Sequence, residues 1–146
     1  ITVGDVGART GLTATAVCSV SDDPPKLLIC VNRTASAHDP ISASGAFCVN
    51  ILCRDQQDVA DVYSGRTGLK GEDRFGTGSW STLETGAPSL DHALATLDCA
   101  VEEQIDAKPH SIFIARVVEG RFNDGGNPLL YFRGDYWDVS STREED

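Results

Sequence analysis

The segment GLTATAVCSVSDDPPKLLICVN, Gly11 to Asn32, gives the strongest indication of the fold class. Its first part, 11–21, is made of small and β-prone residues, and the pair Pro24-Pro25 stops it. The second part, 26–31, is a continuous apolar run, which predicts a buried strand. Together they favour a β-rich fold.

The rest of the chain continues this pattern of short strands. Further strands are predicted over 46–52, 96–105, 111–118 and 129–132. Two short helices are expected at 38–44 and 55–64, because a glycine follows each of them as a C-cap. The segment 66–79 is rich in glycine and charge, which predicts a long surface loop.

The fold class follows from the count of five or six strands without regular alternation of strand and helix. This pattern argues against a parallel doubly wound sheet and favours a small, mainly β, antiparallel barrel with Greek-key connections and one or two short helices. A length of 146 residues suits one domain with one core. We expect this domain to span 1–139 and the polar tail 140–146 to be disordered.

Net charge narrows the classes of partner. The chain carries 22 acidic and 12 basic residues, a net charge of −10, and no basic stripe, so nucleic-acid binding is not expected. No run approaches the roughly 20 apolar residues that a membrane span needs, so no membrane partner is expected. A single phosphate group is still compatible with this charge, because a few backbone amides and one or two cations suffice to bind it.

The five cysteines indicate a reducing compartment and give no sign of a metal or redox role. Their number is odd, and none forms a CxxC pair. The three histidines are scattered along the chain, so no metal site is predicted. Buried, reduced thiols in a cytoplasmic protein are the expected arrangement.

Motifs of common catalytic machinery are missing from the sequence. There is no GxSxG elbow, no GxxxxGK[ST] loop and no GxGxxG fingerprint, so hydrolase and Walker-type ATPase functions have no support. A reaction carried by a bound cofactor would need none of these side chains.

Three polar segments stand where a ligand could bind. In Thr13-Ala14-Thr15-Ala16, small side chains would let a flat ligand approach the backbone, although the same residues suit an ordinary strand beside a turn. The segment 32–38 offers amides, hydroxyls and Arg33 after a buried strand, as a phosphate site or a solvated connection would. The segment 72–75 is charged with one aromatic residue, which local features alone assign to solvent.

In order and spacing, seven segments resemble the flavin reductase-like, FMN-binding split-barrel family, the reductase components of two-component flavin monooxygenases. They are GLTATAVCSVS, DPPKLLICVNRTASAHDPI, SGAFCVNIL, ADVYSG, EDRF, PHSIFIARV and PLLYFRGDY, between residues 11 and 136. The resemblance implies a six-stranded Greek-key split barrel, a homodimer, and a flavin near the subunit interface.

The resemblance also implies the site residues. Flavin contacts would come from Thr13, Ala14, Thr15, Ala16, Ser19, Val20, Cys30, Val31, Asn32, Arg33, Ser36, Asn50, Arg74, Phe75 and Tyr136. Of these, 13–16 would line the ring and its chain, and 30–33 with Ser36 would hold the ring edge and the phosphate. His110 would orient the nicotinamide as the one residue with a catalytic role. Some relatives carry lysine or a second hydroxyl at Thr34 or Ala35, where this chain departs from the pattern.

The implied activity is the reduction of FMN, with FAD possible, by NADH or NADPH. The reduced flavin would then be supplied to a separate oxygenase. Two alternatives stay open on the same fold. One is a reductase that keeps its FMN and reduces a bound acceptor such as a cobalt(II) corrinoid, and the other is a non-catalytic flavin- or haem-binding module.

Overall fold

The computed structural model describes residues 1–139, so the predicted disorder of 140–146 lies outside the described residues. The strands are β1 Thr2–Val3, β2 Thr10–Gly11, β3 Val17–Asp22, β4 Pro25–Asn32, β5 Ala46–Ile51, β6 Trp80–Thr82, β7 Pro88–Leu90, β8 Ala95–Ala107, β9 His110–Phe122, β10 Leu130–Phe132 and β11 Asp135–Trp137. The helices are α1 His38–Ser44 and α2 Gln57–Tyr63, with 3-10 turns at Arg54–Gln56 and Gly71–Gly76.

Seven strands form the main sheet in the order β2-β1-β5-β8-β9-β4-β3, and every pairing in it is antiparallel. The mainly β, antiparallel prediction is confirmed, but the sheet has seven strands rather than six. Five predicted strands lie in it as β3, β4, β5, β8 and β9, and the added strands are β1 and β2, each of two residues and too short to give a periodic signal in the sequence. Two small hairpins, β6–β7 and β10–β11, stand outside the main sheet.

The main sheet curls until its two edges approach each other. Thr10 lies in β2 at one edge, and Ser36 follows β4 near the other edge, yet their hydroxyl oxygens are 2.9 Å apart. No strand pairing joins β2 to β3 within residues 1–139, so the hydrogen-bonded sheet stays open. The curled face surrounds the main core, whose largest members are Phe47, Phe113 and Ile29, each fully buried.

A second, smaller core lies under α2. Val59, Val62 and Tyr63 on one face of the helix pack against Phe75 from the 3-10 turn and Leu90 from β7. Tyr63 contacts Phe75 edge-on, with ring centroids 5.4 Å apart. This second core fixes the segment 66–79, predicted as a loop, which contains an ordered turn at 71–76.

Local predictions fare unevenly. The helix at 38–44 is confirmed together with its C-cap, since Gly45 has the left-handed φ of 66°. The predicted strand over 11–21 is wrong in its middle, because 12–16 is an irregular connection between β2 and β3. The helix predicted over 55–64 divides into a 3-10 turn and α2. None of the helices within residues 1–139 is long and apolar enough to cross a membrane.

Candidate functional site

A cavity of about 680 Å³ opens between the β2–β3 connection, α2 and the β10–β11 hairpin. This volume is typical of small-molecule sites. Of the residues predicted to contact flavin, five line the cavity: Thr13, Ala14, Thr15, Asn50 and Tyr136. Tyr63, Arg66, Trp80 and Tyr131 also line it, and the sequence did not single them out.

Backbone hydrogen bonds hold the connection 12–16 in place. The Thr13 amide donates to the carbonyl of Tyr63 at 3.1 Å, and the Thr13 hydroxyl donates to the carbonyl of Ala60 at 2.7 Å. At the other end of the connection, the Cys30 amide donates to the Ala16 carbonyl at 3.1 Å. These bonds leave the small side chains of 13–16 at the surface of the cavity or exposed to solvent.

The Cys30–Ala16 bond brings together two predicted binding segments that are distant in the chain. We call 12–16 and 30–36 the two-segment site. In its second part, Asn32 accepts hydrogen bonds from the amide and the hydroxyl of Thr34, both at 2.9 Å, and so shapes the turn after β4. Ser36 reaches back to Thr10, one residue before Gly11, through the hydroxyl contact that links the sheet edges.

Arg33 and His110 stand side by side at the end of β4. His110 is the register partner of Asn32 across the β4–β9 ladder, and the Arg33 amide donates to the carbonyl of Pro109 at 3.0 Å. The Arg33 side chain is about two-fifths exposed and pairs with Asp106. The structure therefore places the predicted phosphate-binding and nicotinamide-orienting residues next to each other.

Arg74 contacts the start of the two-segment site without lying inside it. Its guanidinium donates to the carbonyls of Gly11, at 3.0 Å, and Leu69, at 2.8 Å. The neighbouring Glu72 is bound by the Arg9 guanidinium and the Arg9 amide. The 3-10 turn Gly71–Gly76 is thereby bonded to Arg9, just before β2, and to Gly11, the last residue of β2. Arg74 thus holds the backbone at the point where 12–16 begins.

Other predicted contacts lie in the interior or at the edge. Phe75 is buried in the second core, and Val31 is fully buried in the main core. The amide group of Asn50 bonds to Thr2 and to the Leu90 backbone amide, so its side chain already has partners inside the protein.

Ser19 and Val20 lie on the exposed edge strand β3. The flavin contacts predicted for Ser19 and Val20, and for Phe75, Val31 and Asn50 above, stay predictions. Because the side chain of Val31 is fully buried, only its backbone could contact a flavin.

Two tyrosines on the cavity wall are held in their neutral form. Burial raises the pKa of Tyr63, with the nearby Arg9 and Arg74 acting in the opposite direction. Burial also raises the pKa of Tyr136, although the guanidinium of Arg66 partly offsets it. Both hydroxyls are therefore hydrogen-bond donors at neutral pH.

Buried thiols and candidate metal ligands lie apart from this arrangement. Burial raises the pKa of Cys99 to about 12 and raises that of Cys48 as well. Within residues 1–139, no group of three or more His, Cys, Asp and Glu side chains is placed to hold a metal ion. His38 is buried, with its Nε2 2.8 Å from the hydroxyl of Ser111, and supports β9 from inside.

Three of the lining residues that the sequence does not single out lie in or beside segments that carry the family resemblance. Tyr63 and Arg66 flank the end of the ADVYSG helix, and Tyr131 lies in the aromatic hairpin PLLYFRGDY. Both segments belong to the family resemblance, but nothing in the local sequence shows that α2 and the hairpin face each other across a cavity.

Comparison with known proteins gives a consistent result. Residues 1–140 match the sequence model of the flavin reductase like domain. The chain is 48% identical over 132 residues to FMN reductase (NADH) RutF 2 of Rhizobium rhizogenes, which covers 90% of this chain and 75% of that protein. It is 43% identical over 136 residues to FMN reductase (NADH) RutF of Agrobacterium fabrum, covering 93% and 77% respectively.

Solved structures resemble the chain along almost its whole length. BorF, the flavin reductase component of a bacterial two-component tryptophan halogenase, is 36% identical, with a TM-score of 0.84 over 93% of this chain and 85% of BorF. The NADH:FAD oxidoreductase SgcE6 of Streptomyces globisporus, in complex with NAD and FAD fragments, is 29% identical, with a TM-score of 0.87 over 98% and 84%.

Proposed function

The chain belongs to the flavin reductase like domain family, and on this premise we propose that it transfers hydride from NADH to FMN at the two-segment site. The predictions of the family, of an NADH-dependent flavin oxidoreductase and of FMN as the flavin are confirmed by the curated relatives. FAD as the flavin and NADPH as the donor stay predictions.

The observation that carries the site is the hydrogen bond from Cys30 to Ala16. It joins the small-residue wall 13–16 to the polar turn 32–36. At about 3.3 Å per residue, the nine residues of the two stretches together span at most roughly 30 Å. This limit leaves room for an extended ligand with a flat ring at one end and a phosphate at the other. The residues present therefore fit a flavin mononucleotide.

We assign roles along this span by chemistry. The small side chains of 13–16 let the ring lie against the backbone, with Thr15 on the cavity surface. Arg33 and Ser36 hold the phosphate, because a guanidinium and a hydroxyl at a turn are common phosphate donors. His110, beside Asn32, orients the nicotinamide over the ring.

Bound FMN and NADH supply the redox chemistry: a hydride with its two electrons passes from the nicotinamide to the flavin, and one proton from solvent completes reduced FMN. The protein's contribution is to hold the two rings in contact, so alignment accounts for most of the acceleration. The cavity wall around 13–15 excludes water from one side of the ring.

Further parts of the proposal concern assembly and partners. The exposed edge strand β3 carries Val17 and Val20, 37% and 48% exposed, which supports a homodimer in which a second copy covers this edge. The likeness to BorF supports a separate flavin-dependent enzyme as the consumer of reduced FMN.

Five free thiols fit the reducing cytoplasm. We further propose that 1–139 is one domain and that its curled sheet is a Greek-key split barrel.

Kinetics with two flavins test the proposed site. Arg33→Ala is expected to raise the KM for FMN about tenfold, the loss of one charge-assisted hydrogen bond, and to leave the KM for riboflavin, which lacks the phosphate, unchanged. Arg116→Ala is the matched control, because Arg116 lies on β9 near the opposite end of the β4–β9 ladder. Equal effects on both flavins would place the phosphate elsewhere.

A second variant tests the role of the histidine. His110→Ala is expected to raise the KM for NADH or lower kcat while the Kd for FMN stays constant. Lys108→Ala, in the turn just before β9, is its control. An unchanged NADH profile would make His110 structural, and a flavin-binding protein that oxidises no NADH would overturn the proposed function itself.

A further inference from the structure

The wall of the cavity opposite the connection 12–16 has a distinct chemical character. It is built from the β10–β11 hairpin and the end of α2, and its side chains include Tyr131, Tyr136 and Arg66. The two tyrosines pack edge to face, with ring centroids 5.3 Å apart, and the Arg66 guanidinium lies 5.6 Å from the centre of the Tyr136 ring. We call these three residues the hairpin wall.

The charge of the cavity differs from that of the molecule. The protein carries a net charge of −10, yet among the lining residues in the described part of the chain there is one basic side chain, Arg66, and no Asp or Glu. Asp61 sits behind Arg66, 3.4 Å from one of its terminal nitrogens, and the Asp61 carbonyl accepts the Arg66 backbone amide at 3.2 Å. Asp61 thus positions the guanidinium and leaves its other N–H groups available.

These features together select a ligand with a flat ring and an anionic group. Aromatic faces stack on ring systems, and a guanidinium held near one of them binds phosphate. FMN has only one phosphate, and the proposed function commits that phosphate to Arg33 and Ser36. A second ring-and-phosphate unit in the reaction is therefore the adenosine phosphate half of a dinucleotide.

We propose that the hairpin wall binds the adenosine-5′-phosphate moiety of a dinucleotide substrate, with an adenine ring on Tyr136 and phosphate on Arg66. This inference rests on the proposed function for its assignment of the flavin phosphate. The moiety has two possible sources, NADH and FAD, which share this chemistry. The cavity volume of about 680 Å³ leaves room for such a group beside the flavin ring at 13–15.

The experiment compares whole and truncated substrates. Arg66→Gln is assayed with NADH and with reduced nicotinamide mononucleotide, which lacks the adenosine phosphate, at saturating FMN. The same variant is also assayed with FAD against FMN at saturating NADH. Arg133→Gln is the matched control, since Arg133 lies on the same hairpin against Phe132 but does not line the cavity.

The expected result is a drop of about tenfold in kcat/KM for one dinucleotide, with its truncated partner unchanged. A drop for NADH alone identifies the nicotinamide dinucleotide as the source, and a drop for FAD alone identifies the flavin dinucleotide. A similar drop with FMN or with reduced nicotinamide mononucleotide would overturn the proposal, because the wall would then serve the reacting rings. No change with either dinucleotide would also overturn it.

A binding measurement separates this inference from the reductase activity. AMP is titrated into the wild-type protein and the heat of binding is measured by calorimetry. Saturable binding is expected, which Arg66→Gln weakens and Arg133→Gln does not. AMP binding without any NADH oxidation would refute the proposed function and leave the subsite in place. Absence of AMP binding in an active reductase would refute the subsite alone.

Discussion

Replacing Gly11 with alanine tests how tightly the two-segment site is built. Gly11 ends β2 and immediately precedes the connection 12–16. A Cβ at this position would lie 2.6 Å from the carbonyl oxygen of Ile1 and 3.1 Å from two ring carbons of Tyr63. Neither neighbour can give way easily, because the Ile1 carbonyl accepts the Leu12 amide and the Tyr63 ring is packed in the second core.

The size of the effect follows from this crowding. Forcing one extra methyl group into a packed site costs about 1–3 kcal/mol. For a chain of this length, that loss corresponds to a fall in Tm of roughly 3–10 °C. The backbone carbonyl of Gly11 also accepts the hydrogen bond from Arg74, so displacement of β2 disturbs the start of 12–16. We therefore expect the KM for FMN to rise as well.

Thermal unfolding and flavin kinetics on three glycine variants make the comparison. Gly76→Ala and Gly125→Ala are the matched controls, because a Cβ at either position meets no atom within 4 Å. These two are expected to leave stability unchanged or to raise it by up to about 1 kcal/mol through the unfolded chain. If Gly11→Ala melted at the same temperature as the controls, the close packing of β2 against Ile1 and Tyr63 would be refuted.

Three further predictions concern buried and charged groups. A thiol reagent at mildly alkaline pH should modify at most three cysteines in the folded protein and all five after denaturation, because Cys48 and Cys99 are buried with raised pKa values. Asp98→Ala should destabilise the fold by about 3 kcal/mol in urea unfolding, since Asp98 is fully buried and accepts the amide and hydroxyl of Thr85. A hydrogen bond from the Ser81 hydroxyl lowers the pKa of Asp91, so stability present at neutral pH should be lost as pH falls below about 3.8, and Asp91→Asn should flatten that acid limb.

Strands that bury their side chains were predictable because their apolar pattern is local. The runs 26–31 and 46–52 became β4 and β5 within one or two residues of the predicted ends. The break at 12–16 was not predictable, because Thr-Ala-Thr-Ala is compatible with a strand. The connection exists because the amide and the hydroxyl of Thr13 bond to α2, almost fifty residues away in the chain.

Residue type also does not show which side chains already have partners inside the protein. Asn50, a polar residue within an apolar strand, is expected to contact the flavin; it lines the cavity, but its amide group also joins Thr2 to Leu90 and Thr96. Phe75, in a charged loop, was expected at the cofactor and packs inside the second core. In both cases the partners come from distant parts of the chain, and no local pattern specifies them.

The end of α2 links the two sides of the cavity, and this link explains the small residues at 13–16. The last carbonyls of a helix have no partner within it. In α2 the unpartnered carbonyl of Tyr63 accepts the Thr13 amide, and the Ala60 carbonyl, which already accepts the Ser64 amide, also accepts the Thr13 hydroxyl, while Arg66 extends from the same helix end to the opposite wall. The connection is therefore positioned by the backbone and the hydroxyl of Thr13, and its remaining side chains are free to be small. A wall of this kind keeps a flat ring close to the backbone without needing side chains to hold the wall itself in place.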